Sequence, residues 1–471
     1  MIPMTLAALA AATGGSVLDG DPASTVTGPV LLDSRAVVPG SLFLAVRGER
    51  VDGHDYAAAA VAGGAAVVLA ARPVGAPAVV VPDVVEALAR LATTVAAQLP
   101  DAAVVGVTGS SGKTSTKDLL AGVLGRRGAT VAPPGSYNND LGHPLTVLRA
   151  DAGTRYLVLE FGARGPGHIA RLCRISPPHV AVVLNVGTAH LGEFGSPEAT
   201  AAAKSELVLG LRAGGVAILN GDDPLVAAMA AGVQRNVPGG RVVTFGSTAA
   251  ADVAVHDLRL DEAGRPQFTL VTRAGEAVVS LQLRGEHSAA NAAAAAAVAL
   301  ELGMPLADIA AALQDAVPAS RHRMEVAERP DGVTIVDDAY NANPDSMRTA
   351  LKTLAAMSVG RRSWAVLGAM RELGETSAEL HDEIGRLAVR LGIDRLVAVG
   401  PDAARLHAGA VLEGSWGDEA ALVPDVAAAV ELLRAELRPG DVVLVKASRS
   451  EGLERVAEQL LAADAARWTA P

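Results

Sequence analysis

The sequence predicts an α/β protein of three domains, with a phosphate-binding parallel sheet in the central one and a Rossmann-like third. Three observations predict it. Short apolar runs alternate with helical stretches along the chain, which is the pattern of strands joined by crossover helices. Polar, asparagine-rich segments follow many of these runs, as expected where the strand ends of a parallel sheet face a ligand. Finally, residues 104–124, VVGVTGSSGKTSTKDLLAGVL, combine a strand, a glycine-serine loop and a helix opening on Lys-Thr.

The chain has 471 residues and 50% hydrophobic composition, enough for substantial cores and about three domains. The expected spans are 1–99, 100–319 and 320–471. A net charge of −11, with no basic run to offset it, argues against nucleic-acid binding. Cys173 is the only cysteine, which excludes disulfides within the chain and CxxC metal sites and fits a reducing compartment. Cytoplasm is the expected location. The apolar start, MIPMTLAALAAATGGSVLDG, lacks a basic leader region and reads as a first helix. The alanine tract at 292–299 is too short to span a bilayer, so no membrane span is expected.

In the first domain, apolar runs at 30–32, 42–46, 67–69 and 79–81 predict strands among helices. Its most polar feature is Asp33-Ser34-Arg35. A charged loop follows at Arg47-Gly48-Glu49-Arg50 and Asp52-Gly53-His54, for which solvation alone is an equal reading.

The central domain opens with the phosphate loop, Gly109, Ser110, Ser111 and Gly112, then Lys113, Thr114 and Ser115. Glycines let backbone N–H groups close on an anion, the new helix turns its positive end toward it, and lysine adds a point charge. Thr114 can offer its hydroxyl to Mg²⁺. Val107 stands where the full GxxxxGK[ST] pattern has its first glycine, so the motif is TGxxGKT. Further strand ends deliver Glu160, then Asn185 to His190, then Asn220 to Asp223. A carboxylate and a histidine at such ends suit a metal near phosphates, although a lone packed histidine is common. His287 and Asn291 share one helix face.

Only five of the 40 basic Lys/Arg residues are lysines: Lys113, Lys117, Lys204, Lys352 and Lys446. A lysine that persists where arginine is the default cation is a candidate for work as a point charge or nucleophilic amine. For Lys117 and Lys352 chance is the preferred reading, and Lys204 could equally lie on a solvated helix face.

From 320 onward, strands near 333–336, 364–367, 396–399 and 442–445 give the Rossmann-like pattern. Their ends carry Asp337-Asp338-Ala-Tyr340-Asn341-Ala-Asn343-Pro344, LGAMRELG, and Lys446-Ala-Ser448-Arg449-Ser450.

Taken together, TGSSGKTSTK, SYNNDLGHPLTVL, EFGARGPGHIARL, NVGTAHLGEFGSPEATAAAKSE, GEHSAANAAAA, RHRMEV and DDAYNANPDSM, in that order, resemble the Mur ligases of peptidoglycan synthesis along essentially the whole chain. The resemblance implies a three-domain ligase using ATP and Mg²⁺. It would join D-Ala-D-Ala to UDP-N-acetylmuramoyl-tripeptide through an acyl phosphate, as a monomer. By position, Lys113 and Thr114 correspond to phosphate and Mg²⁺ contacts, Glu160 and His190 to metal ligands, and Lys204 to a lysine the family carbamoylates. Asn291, Arg323 and Asp338 correspond to nucleotide contacts. Ser34 and Arg35 would meet the UDP end in the first domain. Asn138, Asn139, Tyr340, Asn341, Asn343, Lys446 and Ser448 are the remaining substrate-binding candidates, the third domain receiving the amine. Two departures stand out: Phe161 replaces the usual Met, and Ala369 replaces an acidic residue. A folylpolyglutamate-type ligase, or a nucleotide-binding regulator without turnover, are the alternatives.

Overall fold

The computed structural model describes residues 1–48, 51–187, 194–414 and 417–467. Runs of Val, Leu and Ala without internal polar residues form strands buried on both faces, as in Val67–Ala70 and Tyr156–Glu160, which is the environment of a parallel sheet covered by helices.

The first sheet has five strands in the order Ser16–Leu18, Ala78–Val80, Val67–Ala70, Leu42–Leu44, Val30–Leu31, parallel except for the Ser16–Leu18 edge. Before it lies the helix Leu6–Thr13, which starts where the Thr5 side chain accepts from the Ala8 N–H and stops at Gly14, at φ 72°. That conformation suits glycine.

The second sheet has nine strands, ordered Gly275–Ser280, Pro266–Thr272, Val253–Leu260, Arg241–Gly246, Val216–Asn220, Val180–Val183, Ala103–Thr108, Tyr156–Glu160, Thr130–Val131. From Thr130–Val131 to Val253–Leu260 neighbours run parallel, and the last two pairs are antiparallel. Strand alternation divides its core: Leu157 and Leu159 pack toward the first domain and the helix Val84–Ala97, whereas Tyr156 and Val158 face the helices Lys113–Gly125 and His287–Glu301. In His287–Glu301 the alanines from Ala292 to Ala297 are fully buried. Methyl side chains let this helix lie close against the phosphate-loop helix and the sheet while keeping high helix propensity.

The third sheet runs Glu325–Glu328, Thr334–Asp337, Val442–Lys446, Ser363–Leu367, Arg395–Val399, Ala420–Val423, parallel except for the first pair. Trp364 is fully buried, donates to Asp441 Oδ2 at 2.9 Å and lies under the guanidinium groups of Arg362 and Arg395. No helix among the described residues is long and apolar enough to cross a membrane.

Candidate active site

The carboxyl ends of the second and third sheets border one cavity of about 790 Å³, a size that suits small-molecule binding. On its central side lies the loop after Ala103–Thr108. The Ser111 N–H donates to Asn185 Oδ1 at 2.9 Å, the Ser110 N–H to the Asn185 carbonyl at 3.1 Å, and the Gly187 N–H to Ser110 Oγ at 2.9 Å. The neighbouring strand end therefore clamps the loop from outside and leaves the first-turn N–H groups of the helix without intrahelical acceptors, as at any helix start. Gly112 sits at φ 81°, and a Cβ there would lie 2.7 Å from Asn291 Oδ1. Both conformation and contact require glycine. Lys113 Nζ folds back onto the Gly109 carbonyl at 2.6 Å. Burial lowers its pKa to about 8, with Glu160 opposing and the Arg323 charge adding to the shift.

Glu160 ends Tyr156–Glu160 fully buried. Its Oε2 accepts from Ser136 Oγ at 3.3 Å and Asn138 Nδ2 at 3.5 Å, and Ser136 Oγ lies 2.8 Å from Thr114 Oγ1. Among the described residues its buried Oε1 has no hydrogen-bond partner. A buried carboxylate with an unmatched oxygen beside two hydroxyls is the donor set a hard cation requires, so the residues fit Mg²⁺. Phe161 fills the space behind, edge-on to His143 at 4.7 Å between ring centres. His143 is itself buried, and burial drives its pKa down to about 4, so it is a neutral packing residue.

Lys204 lies on Pro197–Leu209 and is buried rather than solvated. Burial, then repulsion from Lys113, lowers its pKa to about 7. It lines the cavity and has no ion-pair partner among the described residues. His190 lies outside the described residues.

Asn291 lines the cavity, and its Nδ2, like His287 Nδ1, is buried without a hydrogen-bond partner among the described residues. From the third domain, Arg323 reaches across to Ser136 Oγ at 3.1 Å and stacks over Tyr340 at 4.2 Å. Asp338 is held by Lys446 Nζ at 2.6 Å and by the Met324 N–H at 3.1 Å. Lys446 also donates to the Asn341 carbonyl at 2.8 Å. Asn343 and Ser346 form a reciprocal cap on the helix Pro344–Met357, so its amide oxygen is committed to the fold although the residue borders the cavity. Asn139 similarly accepts from the Gly142 N–H at 2.8 Å. Ser448 Oγ accepts from the Arg371 N–H at 2.8 Å. Ala369 is buried, its carbonyl taken by the Ser448 N–H at 3.0 Å.

Ser34 and Arg35 are not part of this cavity. They form a short turn, Ser34–Ala36, capped by Asp33, whose carboxylate also pairs with Arg35 at 2.7 Å. Those hydrogen bonds lower the Asp33 pKa to about 2. Three residues outside the expected site set complete the picture. Asn185 clamps the loop, Ser136 joins Thr114, Glu160 and Arg323, and Lys117 is buried and ion-paired with Asp118. Ser136 and Asn185 stood in polar strand-end blocks; nothing in the pattern set Lys117 apart from chance.

A phosphate loop facing a Rossmann-like sheet across a cation-lined cavity defines a nucleotide-dependent enzyme class. Three family profiles match the chain: the Mur ligase family catalytic domain at 29–96, the Mur ligase middle domain at 107–299, and the Mur ligase glutamate ligase domain at 322–449. The chain belongs to the Mur ligase family. It is 53% identical to the UDP-N-acetylmuramoyl-tripeptide–D-alanyl-D-alanine ligase of Mycobacterium tuberculosis over 98% of this chain and 99% of that one. It is 38% identical to the ligase of the same name from Escherichia coli, with the same coverage. Among solved structures, MurF from Acinetobacter baumannii is similar with a TM-score of 0.86 at 34% identity, covering 98% of this chain and 99% of that one. MurF from Thermotoga maritima in complex with ADP gives 0.79 at 33% identity, covering 94% and 99%.

Proposed function

We propose that this chain is the ATP-dependent ligase that joins D-Ala-D-Ala to UDP-N-acetylmuramoyl-tripeptide in cytoplasmic peptidoglycan precursor synthesis. The near-full-length likeness to ligases of that name supports it. The observation that carries it is the convergence of Lys113, Lys204 and Arg323 on one cavity between two sheets, with the buried Glu160 carboxylate bonded to the lining residues Ser136 and Asn138. The first domain receives the UDP end through Ser34 and Arg35, the central domain ATP, and the third the amine.

The terminal carboxylate of the tripeptide is a poor electrophile. Transfer of the γ-phosphoryl of ATP to it gives an acyl phosphate; the amine of D-Ala-D-Ala then attacks the carbonyl carbon and phosphate leaves. Two anions must meet in the first step, and Lys113, Arg323 and the first-turn N–H groups of the phosphate loop lower that barrier. Asn291, Asp338 and Tyr340 border the cavity where the nucleoside would lie, and Asn138, Asn139, Asn341, Asn343, Lys446 and Ser448 border the rest. Mg²⁺, when bound, would neutralise phosphate charge; Thr114, Glu160 and His190 would hold it, and carbamoylated Lys204 would hold a second Mg²⁺. Lys204 favours that modification because CO₂ adds to a neutral amine, forming an N–C bond with loss of a proton, and burial lowers the pKa of this amine to about 7.

The test is phosphate release from ATP with UDP-N-acetylmuramoyl-tripeptide, with and without D-Ala-D-Ala. Release that requires both substrates is expected. Release with a folate and glutamate instead, or ATP binding without turnover, would overturn the proposal.

A further inference from the structure

Lys117 is 1% exposed and lines no part of the cavity between the sheets. Its ammonium donates to the Pro133 carbonyl at 2.9 Å, to Ser320 Oγ at 3.4 Å and to the Asp118 carboxylate. The second Asp118 oxygen accepts from the Ser320 N–H at 3.1 Å. Three segments thus meet at one buried charge: the phosphate-loop helix one turn past Lys113, the loop that ends in Ser136, and the linker into the third domain.

The linker changes character immediately beyond the clamp. His322 and Met324 hold φ of 59° and 50°, a left-handed conformation that costs non-glycine residues roughly 1 kcal/mol each. Arg323 lies between them and reaches Ser136 Oγ. A strained arm holds its shape only if its root is fixed, and Ser320 is that root. The other end of the Arg323–Ser136 contact is tied to the same ammonium through the Pro133 carbonyl. We propose that Lys117 is a positioning residue, which with Asp118 sets where Arg323 meets Ser136 beside the phosphate-loop helix. An ammonium presents three donors from one atom, matching three converging acceptors, whereas a guanidinium spreads its donors in a plane. The need for that geometry explains lysine here in a chain that otherwise uses arginine.

This inference rests on the ligase reading for its catalytic readout but has a second readout that does not. In hydrogen exchange on the ligand-free protein, Lys117→Met should raise exchange in residues 133–138 and 318–324 and leave the third sheet unchanged. In the ligase assay it should lower kcat on the order of 10- to 100-fold with little change in KM for the UDP substrate. Combined with Arg323→Ala, it should add almost nothing to the loss from Arg323→Ala alone, because it acts through that residue. Lys117→Arg should not rescue. If Lys117→Met does not fold, Ser320→Ala removes one acceptor without stranding a charge and carries the same non-additivity test. Unchanged exchange at 318–324, or losses that multiply with Arg323→Ala, would overturn the clamp. A wild type without ligase activity would overturn the proposed function, leaving the exchange result to decide the clamp.

Discussion

Replacing Lys204 with methionine should make the protein more stable while abolishing its turnover. A lysine in an unfolded chain keeps its proton to about pH 10.5, whereas burial brings that point down to about 7 in the fold. Between those values the unfolded chain binds one proton more than the native one, so stability rises with pH across that window. Below pH 7 the penalty is fully present, and the gap corresponds to about 5 kcal/mol. It shrinks by about 2–3 kcal/mol between pH 6 and pH 9. Methionine fills a similar volume with no charge to desolvate and escapes the penalty at every pH. Calorimetry of both proteins in CO₂-free, metal-free buffer at pH 6, 7, 8 and 9 reads this directly. One kcal/mol moves the melting point of a domain of this size by roughly 2–4 °C. The advantage of Lys204→Met should therefore fall by roughly 5–10 °C from pH 6 to pH 9. A pH-independent difference, or a methionine variant less stable at pH 6, would refute the assignment of a neutral buried amine. In the ligase assay Lys204→Arg should be as inactive as Lys204→Ala, and acetate or formate should restore some activity to the alanine variant only.

Three further outcomes are expected. Lys113→Ala should lower kcat by on the order of 10²–10³ while the protein remains folded; a near wild-type rate would mean that the loop is not the ATP site. Arg35→Ala should raise KM for UDP-N-acetylmuramoyl-tripeptide far more than KM for ATP, since Arg35 lies outside the cavity between the two sheets; equal losses would move the UDP end elsewhere. Gly112→Ala forces a Cβ toward Asn291 Oδ1 in a left-handed conformation and should weaken ADP, measured by titration calorimetry, at least about tenfold; unchanged affinity would separate Asn291 from the nucleotide.

Much of the architecture was legible because buried parallel strands carry continuous apolar runs. The runs at 30–32, 42–46, 67–69 and 79–81 all contain strands, as do those of the third sheet. Ser16–Leu18 and Glu325–Glu328 escaped notice because they are short, partly exposed edges whose pairing is decided by their neighbours. The antiparallel extension from Val253 to Ser280 also went unmarked. At the site, the phosphate loop announced itself through local order, and the scarcity of lysine marked Lys204, which the fold buries rather than leaving on a solvated face. Lys117 was read as chance, and its burial against Pro133 and Ser320 was not legible, because those partners are distant in sequence and leave no periodic trace. Asn343 and Asn139 illustrate the converse limit, since asparagine at a strand end serves equally as a helix cap.

The alanine helix has one more consequence. Interlocking side chains normally index a helix along its axis, as teeth index a gear, and a barrel of methyl groups offers no teeth. Apart from Val298, which is fully buried, its axial setting rests on contacts near its two ends. At the far end Glu301 pairs with Arg241 at 2.5 Å. At the near end Ser288 Oγ donates to the Arg284 carbonyl at 2.7 Å, and the Gly285 N–H to the Gly264 carbonyl at 2.8 Å. Asn291 therefore keeps its place in the cavity partly through a surface ion pair roughly 15 Å away along the rod.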